Sequence, residues 1–309
     1  MQLIRGLPPA GALEGRRALT VGTYDGLHLG HQALLARLRE HAQHLAVPTL
    51  MMTFEPMPRE FLSPGNPPAR LTSFRERWRC LEALGLDQFC VLRFGAATQA
   101  LSAEEFSGLM ASRLRPAVVV VGHDFRFGRG GEGTARTLHE AGRRHGFAVD
   151  IVEPVTLAGE RLSSSAVREA LAASDLKRAE RLLGRPYTMI GRVVRGEQLG
   201  RKLGFPTANV RFPRRRLPVG GIFAVRIRVR GREDGSLRGV ASIGTRPTVG
   251  GTEPWLEVHA FDFEGDLYGC EIAVECVRYL RPELKFESVA AMVAQIHEDA
   301  AQARALLSP

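Results

Sequence analysis

The sequence predicts an α/β domain built on a parallel sheet, followed by a small all-β barrel with a helix packed on it. Two observations predict this architecture. Short apolar strands alternate with amphipathic helices in the first half. The alternation then gives way to strand-like segments punctuated by Gly and Pro.

In the first half, residues 17–22, 48–54, 88–94, 117–122 and 148–155 read as strands. Residues 31–45, 74–84, 102–114 and 134–145 read as helices, with Ser102 and Glu105 at capping-box spacing. A parallel sheet of this kind binds ligands at the carboxyl ends of its strands, so chemistry is expected there. The rhythm changes after Gly184-Arg185-Pro186, which predicts domains of residues 1–184 and 185–309, the second folding alone. In the second half Val225, Ile227 and Val229 alternate with Arg226, Arg228 and Arg230, as in a half-buried antiparallel strand. Residues 288–307 read as one closing helix.

Composition excludes several classes. Hydrophobic residues make up 44% of the 309 and charged residues 24%, which argues against disorder. The net charge of +9 favours anionic partners such as phosphorylated small molecules. Aromatic content of 7% and the lack of a one-signed block count against nucleic acid. Cys80, Cys90, Cys270 and Cys276 have no CxxC spacing and read as buried free thiols in a reducing compartment. No apolar run is long enough for a signal peptide or a membrane span, so a cytoplasmic protein without a membrane partner is expected. Oligomeric state is not legible.

The segment from Gly22 to His31, Gly-Thr-Tyr-Asp-Gly-Leu-His-Leu-Gly-His, joins the first strand to the first helix. Gly22, Gly26 and Gly30 let the backbone approach a phosphate, and a helix N-terminus offers free N–H donors. His28 and His31 share one face of a helical turn, where they could offset charge on a triphosphate. The dipole there disfavours a protonated imidazole until an anion arrives. Downstream, Ser164 and Ser165 read as a helix start able to cap and to bond phosphate, with Arg168 on the same face as an anion clamp. Serine capping alone also accounts for that segment. A dinucleotide reading of Gly128-Arg-Gly130-Gly-Glu-Gly133, with Asp150 downstream, fails because the glycines start too late after the strand; the stretch reads as a flexible loop. In the second half no Walker A loop occurs. Pro206-Thr207-Ala208-Asn209 carries oxygen donors suited to Mg²⁺, although a plain turn before a strand also fits.

The strand-to-helix HxGH resembles the nucleotidylyltransferase superfamily, and the longer segment its bacterial FAD synthetase branch, where Phe is usual at Tyr24. Three further stretches agree: Thr53-Phe-Glu-Pro-Met-Pro-Arg-Glu60, Val121-Gly-His-Asp-Phe-Arg-Phe-Gly128 and Leu162-Ser-Ser-Ser-Ala-Val-Arg168. Met57, Asp124 and Ser165 depart from the commonest family residues. The second half resembles the riboflavin kinase domain through GRVVxG, LGFPTAN, residues 239–248, Leu256-Glu-Val-His259 and Leu280-Arg-Pro-Glu-Leu-Lys-Phe286, with Ser242 replacing Asn. Together they look like the bifunctional riboflavin kinase and FAD synthetase family.

The resemblance implies a Rossmann-like adenylyltransferase domain and a kinase barrel, with riboflavin, FMN and ATP as substrates and Mg²⁺ as cofactor. It implies His28, His31, Arg168 and Glu257 as catalytic residues, Glu257 accepting the proton of riboflavin's terminal hydroxyl. Gly22, Tyr24, Asp25, Gly30, Ser164 and Ser165 would bind ATP for adenylylation, and Pro56, Asp124, Phe125 and Arg126 the flavin. In the kinase, Gly196, Arg201, Gly204, Pro206 and Arg281 would contact ATP or flavin, and Thr207 and Asn209 the metal. Two rivals stay open: another nucleotidylyltransferase of the superfamily, and a flavin sensor that binds without turnover.

Overall fold

A computed structural model of the chain describes all residues except 197–199, 201–203, 213, 215, 233–234, 249–250 and 309, and only the backbone of 246–248 and 251–252. Two compact units divide it: Met1–Pro68 with Arg77–Leu162, and Ala69–Glu76 with Ser163–Pro309.

The first unit holds β1 (Gln2–Arg5), β2 (Arg17–Val21), α1 (Leu29–His44), β3 (Thr49–Glu55) and α2 (Pro58–Leu62). After α3 (Phe74–Ala83) come β4 (Gln88–Arg93), α4 (Ala96–Ala100), α5 (Ala103–Leu114) and β5 (Pro116–Gly122). A ribbon of β6 (Arg126–Phe127) and β7 (Gly133–Thr134) precedes α6 (Ala135–His145) and β8 (Ala148–Val152), and β9 (Thr156–Leu157) and β10 (Glu160–Arg161) form a second ribbon. The sheet is wholly parallel in the order β1-β4-β3-β2-β5-β8. Leu19, Leu50, Met52, Val119 and Val121 pack there against Phe106, Met110, Leu114 and Leu138 of α5 and α6. Near-continuous burial of β2 and β3 is what a parallel sheet demands. The strand order reverses between β2 and β5, so the loops after these two strands flank a crevice. Ser102 and Glu105 form the expected capping box on α5. The edge strand β1 and the five-residue helices α2 and α4 lie outside the expected elements.

The second unit starts from α7 (Ser164–Ala172) and α8 (Leu176–Leu183). Six antiparallel strands follow: β11 (Thr188–Val194), β12 (Ala208–Arg211), β13 (Gly221–Val229), β14 (Leu237–Thr248), β15 (Gly251–Ala260) and β16 (Glu271–Arg281). They close in the order β11-β12-β15-β14-β13-β16. Val225 and Ile227 point into the core while Arg226 and Arg228 stay exposed, as the alternation requires. The C-terminal helix (Val289–Leu307), capped by Ser288, packs Ala303 and Leu307 on Ile222, Ala224 and Val240. Residues Ala69–Glu76 belong to this unit. Glu76 accepts hydrogen bonds from the Ser73 and Ile190 amides, both at 2.6 Å, and pairs with Arg214; neither charged side chain is more than 4% exposed. Arg214 also donates to the Tyr187 hydroxyl at 3.0 Å.

The cysteines correct one expectation. All four are free, but only Cys90 and Cys276 are buried, while Cys80 and Cys270 are half-buried. Burial pushes the Cys90 and Cys276 thiols up to about 12, so both stay protonated at neutral pH.

Candidate active sites

In the first unit the β2–α1 loop is held from several sides. Tyr24 and Leu27 adopt positive φ, a conformation costly for side-chain-bearing residues. Tyr24 is buried and its hydroxyl bonds Thr20 Oγ1. A side chain at Gly22 would meet the Tyr24 ring at 2.9 Å, which explains the glycine. Arg77, fully buried, donates to the Thr23 carbonyl at 2.9 Å, to Thr53 Oγ1 at 3.3 Å and to Glu55 at 2.6 Å. It ties this loop to the end of β3.

His28 is the N-cap of α1, its Nδ1 accepting from the His31 amide at 3.4 Å. The two imidazoles stack with centroids 3.7 Å apart, and Tyr24 lies 4.9 Å from His31. His31 Nδ1 is buried with no hydrogen-bond partner among the described residues. Burial, and then the neighbouring His28, hold His31 well below the ordinary histidine value, so it is neutral in the free chain. Asp25 is buried in the same loop.

A cavity of about 370 Å³ opens by the loop after β5. Phe54, Phe94, Phe106, Phe125 and Phe127 line it, with Arg126 and Val21. Phe125 and Phe127 stack at 5.3 Å. The glycine stretch that reads as a flexible loop walls this cavity through Gly128, Gly130 and Gly131. Glu132 anchors it by accepting from the Ala103 amide at 2.8 Å, and the Arg129 amide reaches Leu101 at 2.7 Å. Asp150 is instead bonded to Arg37 and His41 of α1. Pro56 and Asp124 lie outside the cavity lining, and Asp124 is ion-paired with Arg161 at 2.7 Å.

On α7 the structure moves the cap by one residue. Ser163, not Ser164 or Ser165, accepts from the Ala166 amide and caps the helix, with Ser164 and Ser165 in the first turn. Arg168 follows on the same face. Its Nε donates to the Ala69 carbonyl at 2.7 Å.

In the barrel, register builds the second site. Asn209 pairs across to Glu257, and Glu257 to Ser242, so three polar side chains occupy one rung across β12, β15 and β14. Leu256 and Val258, on the opposite face of β15, are buried. Glu257, Thr207, Ser242 and Arg281 line a cavity of about 270 Å³ that Met292 and Ile296 of the C-terminal helix close. Thr207 also lines a second cavity of about 380 Å³, bounded by Val193, Phe263 and Tyr268. Asn209 Oδ1 is buried without a hydrogen-bond partner among the described residues. A Cβ at Gly196 would strike the Asn209 amide at 2.4 Å. One at Gly200 would lie 3.1 Å from Thr207 Oγ1. Gly204 has φ +87° and precedes Phe205 and Pro206. The Arg281 guanidinium binds Asp299 of the C-terminal helix with bonds of 2.8 and 2.7 Å. Arg201 lies outside the described residues.

Comparison with known proteins now bears on both sites. The family model for FAD synthetase matches residues 12–166, and that for riboflavin kinase matches residues 183–307. A bifunctional riboflavin kinase/FMN adenylyltransferase of Pseudomonas fluorescens is 44% identical over 311 residues, covering 100% of this chain and 99% of that protein. The chain belongs to the bifunctional riboflavin kinase/FMN adenylyltransferase family. A relative of that name from Escherichia coli strain K12 is also 44% identical, covering 98% of this chain and 97% of its own. A crystal structure described as a macrolide-efflux protein from Streptococcus pneumoniae matches with TM-score 0.81 at 30% identity, over 97% of each chain. No helix among the described residues is long and apolar enough to cross a membrane.

Two departures from the commonest residues of this kinase/adenylyltransferase family, Met57 and Ser242, have local contacts. Met57 is buried at the N-cap of α2, and its amide donates to Glu60 at 3.0 Å. Ser242 stands 3.5 Å from Glu283. Sequence reasoning missed Ser163, Arg77 and the phenylalanines contributed by β3, α5 and the segment after β4. A lone arginine or phenylalanine on an amphipathic helix gives no signal that it faces a site.

Proposed function

We propose that this chain makes FAD from riboflavin in two ATP-dependent steps, each run by one domain. Residues 185–309 phosphorylate riboflavin to FMN. Residues 1–184 then adenylylate FMN and release pyrophosphate. The observation that carries the reading is the rung of Asn209, Glu257 and Ser242, of which Glu257 and Ser242 line with Thr207 a cavity large enough for a ring system, on a chain that both family models match.

Thr207 stands at the wall shared by two cavities, which suits a reaction joining two substrates. Riboflavin takes the one closed by the C-terminal helix, its ring against Met292 and Ile296. ATP takes the one bounded by Tyr268 and Phe263. Glu257 accepts the proton of the terminal ribityl hydroxyl as that oxygen attacks the γ-phosphorus, breaking its bond to the β–γ bridging oxygen and releasing ADP. The donors fit Mg²⁺, a hard cation that takes oxygen ligands, because the Asn209 amide oxygen is buried without a hydrogen-bond partner among the described residues and Thr207 adds a hydroxyl. Thr207 and Asn209 would hold the ion, which when bound neutralises phosphate charge. Gly196, Gly204 and Pro206 shape the backbone around these ligands. Arg281 holds the helical wall through Asp299.

In the adenylyltransferase domain the phenylalanine-lined cavity takes the flavin ring, with Phe125 and Arg126 in its lining and Pro56 and Asp124 outside it. The FMN phosphate is ionised at neutral pH and attacks the α-phosphate of ATP without a strong base. His28 and His31 at the start of α1 meet the charge that builds, with Gly22, Tyr24, Asp25 and Gly30 forming the loop. A neutral His31 gains a proton as the triphosphate arrives. The sequence motif assigns Ser164, Ser165 and Arg168 to the same triphosphate. Partners are these small molecules, with neither nucleic acid nor membrane, in the cytoplasm.

A paired assay of Glu257→Gln tests the reading. FMN formation from riboflavin is expected to fall by about 10²–10⁴. FAD formation from supplied FMN should be unchanged. Full activity from riboflavin, or bound flavin without ATP consumption in the parent chain, would overturn the assignment.

A further inference from the structure

The proposed kinase chemistry uses Glu257 but leaves His259, two residues further along β15, without a role. Residues at this spacing share one face of a strand, and His259 lines the same cavity of about 270 Å³. Its Nδ1 lies 2.9 Å from the carbonyl oxygen of Pro206. That oxygen can only accept, so Nδ1 carries the proton and donates it. The bond therefore ties the strand bearing Glu257 to the peptide immediately before Thr207. The preceding residue is fixed as well. Phe205 is buried, edge-on to His259 at 5.5 Å and to His297 of the C-terminal helix at 4.7 Å. Residues 205–206 are thus gripped by β15 on one side and by the helix on the other. Thr207 follows directly, and Asn209 pairs with Glu257 two residues later.

We infer that His259 is a positioning residue of the kinase site: its Nδ1–H donation to Pro206 sets the Thr207 hydroxyl relative to Glu257. This rests on the kinase reading above. It requires a donor at the Nδ1 position and nothing further of the imidazole. Asparagine places an amide N–H the same number of bonds from the backbone, whereas leucine fills similar space without a donor.

The test compares His259→Leu and His259→Asn in the full chain. Outer-shell partners of this kind are worth 10–100-fold. His259→Leu is therefore expected to lose roughly 10–100-fold in kcat/KM for Mg-ATP and to need more Mg²⁺ for half-maximal rate. His259→Asn should recover most of both. FAD formation from supplied FMN should stay at the parental rate in each, with similar melting temperatures. Hydrogen exchange of the peptide spanning residues 204–209, measured without ligand, should rise in the leucine variant and return in the asparagine variant. Parental kinetics and exchange in His259→Leu would overturn the inference. So would an asparagine variant as impaired as the leucine one at equal stability. If the parent chain forms no FMN, the kinase reading itself falls, while the exchange comparison still decides whether His259 holds the Pro206–Thr207 segment.

Discussion

His31 and Asn209 share a feature that ordinary packing removes: each keeps a buried polar atom without a hydrogen-bond partner among the described residues. Native interiors leave few such atoms, and those that remain call for a functional explanation. For His31 the consequence is measurable as charge. His28→Ala or His31→Ala should slow FAD formation by about 10²–10³, the usual worth of one electrostatic stabiliser, with FMN formation unchanged. Equal loss of both activities in a paired assay would count against this. The depressed His31 value also sets a pH dependence. The unfolded chain takes up a proton near the ordinary value of 6.5, and the folded chain refuses it until lower pH. Stability from this group is thus complete above about pH 6.5 and is lost as pH falls towards the folded value. His31→Asn should flatten the fall in melting temperature on acidification; an identical slope in both proteins would refute the burial account. His28 and His31 were legible because the helical turn that joins them is local. The neighbourhood of Asn209 and Glu257 was legible only through resemblance, since it depends on the β12–β15 register, which no local pattern encodes.

At the scale of elements, strands with strong periodicity or long apolar runs were readable, and short ones were not. The four-residue β1 and the five-residue α2 and α4 offer too few residues for a period to show. The glycine loop after β5 is held by Ala103 and Leu101, which lie elsewhere in the chain, so no local pattern shows that it walls a cavity. The C-terminal helix was predicted, but its fastening was not. Arg281 of β16 and Asp299 of the helix form a bidentate pair, with side chains only 16% and 6% exposed. Removing one partner of such a pair costs about 3–5 kcal/mol. Asp299→Ala should therefore lower the melting temperature and raise the KM for riboflavin, because the helix forms the wall of that cavity. Unchanged riboflavin affinity alongside a lowered melting temperature would show that the helix has no part in binding.

For the molecule as a whole, the change of sequence rhythm falls near residue 184, whereas the second compact unit runs from Ser163 and also takes Ala69–Glu76. A fragment of residues 185–309 lacks Glu76, so Arg214 and the Ile190 amide lose a buried acceptor. By the same 3–5 kcal/mol scale, the fragment should unfold at clearly lower denaturant than the barrel of the intact chain. Equal midpoints would mean that Arg214 turns to solvent when Glu76 is absent. The same segment has a consequence for synthesis. Glu76 leaves the ribosome 138 residues ahead of Arg214. At about 5–20 residues per second that is roughly 7–28 s. Throughout that interval the nascent chain must carry residues 69–76 without the barrel they pack on, so the last unit to be translated completes a stretch made near the beginning.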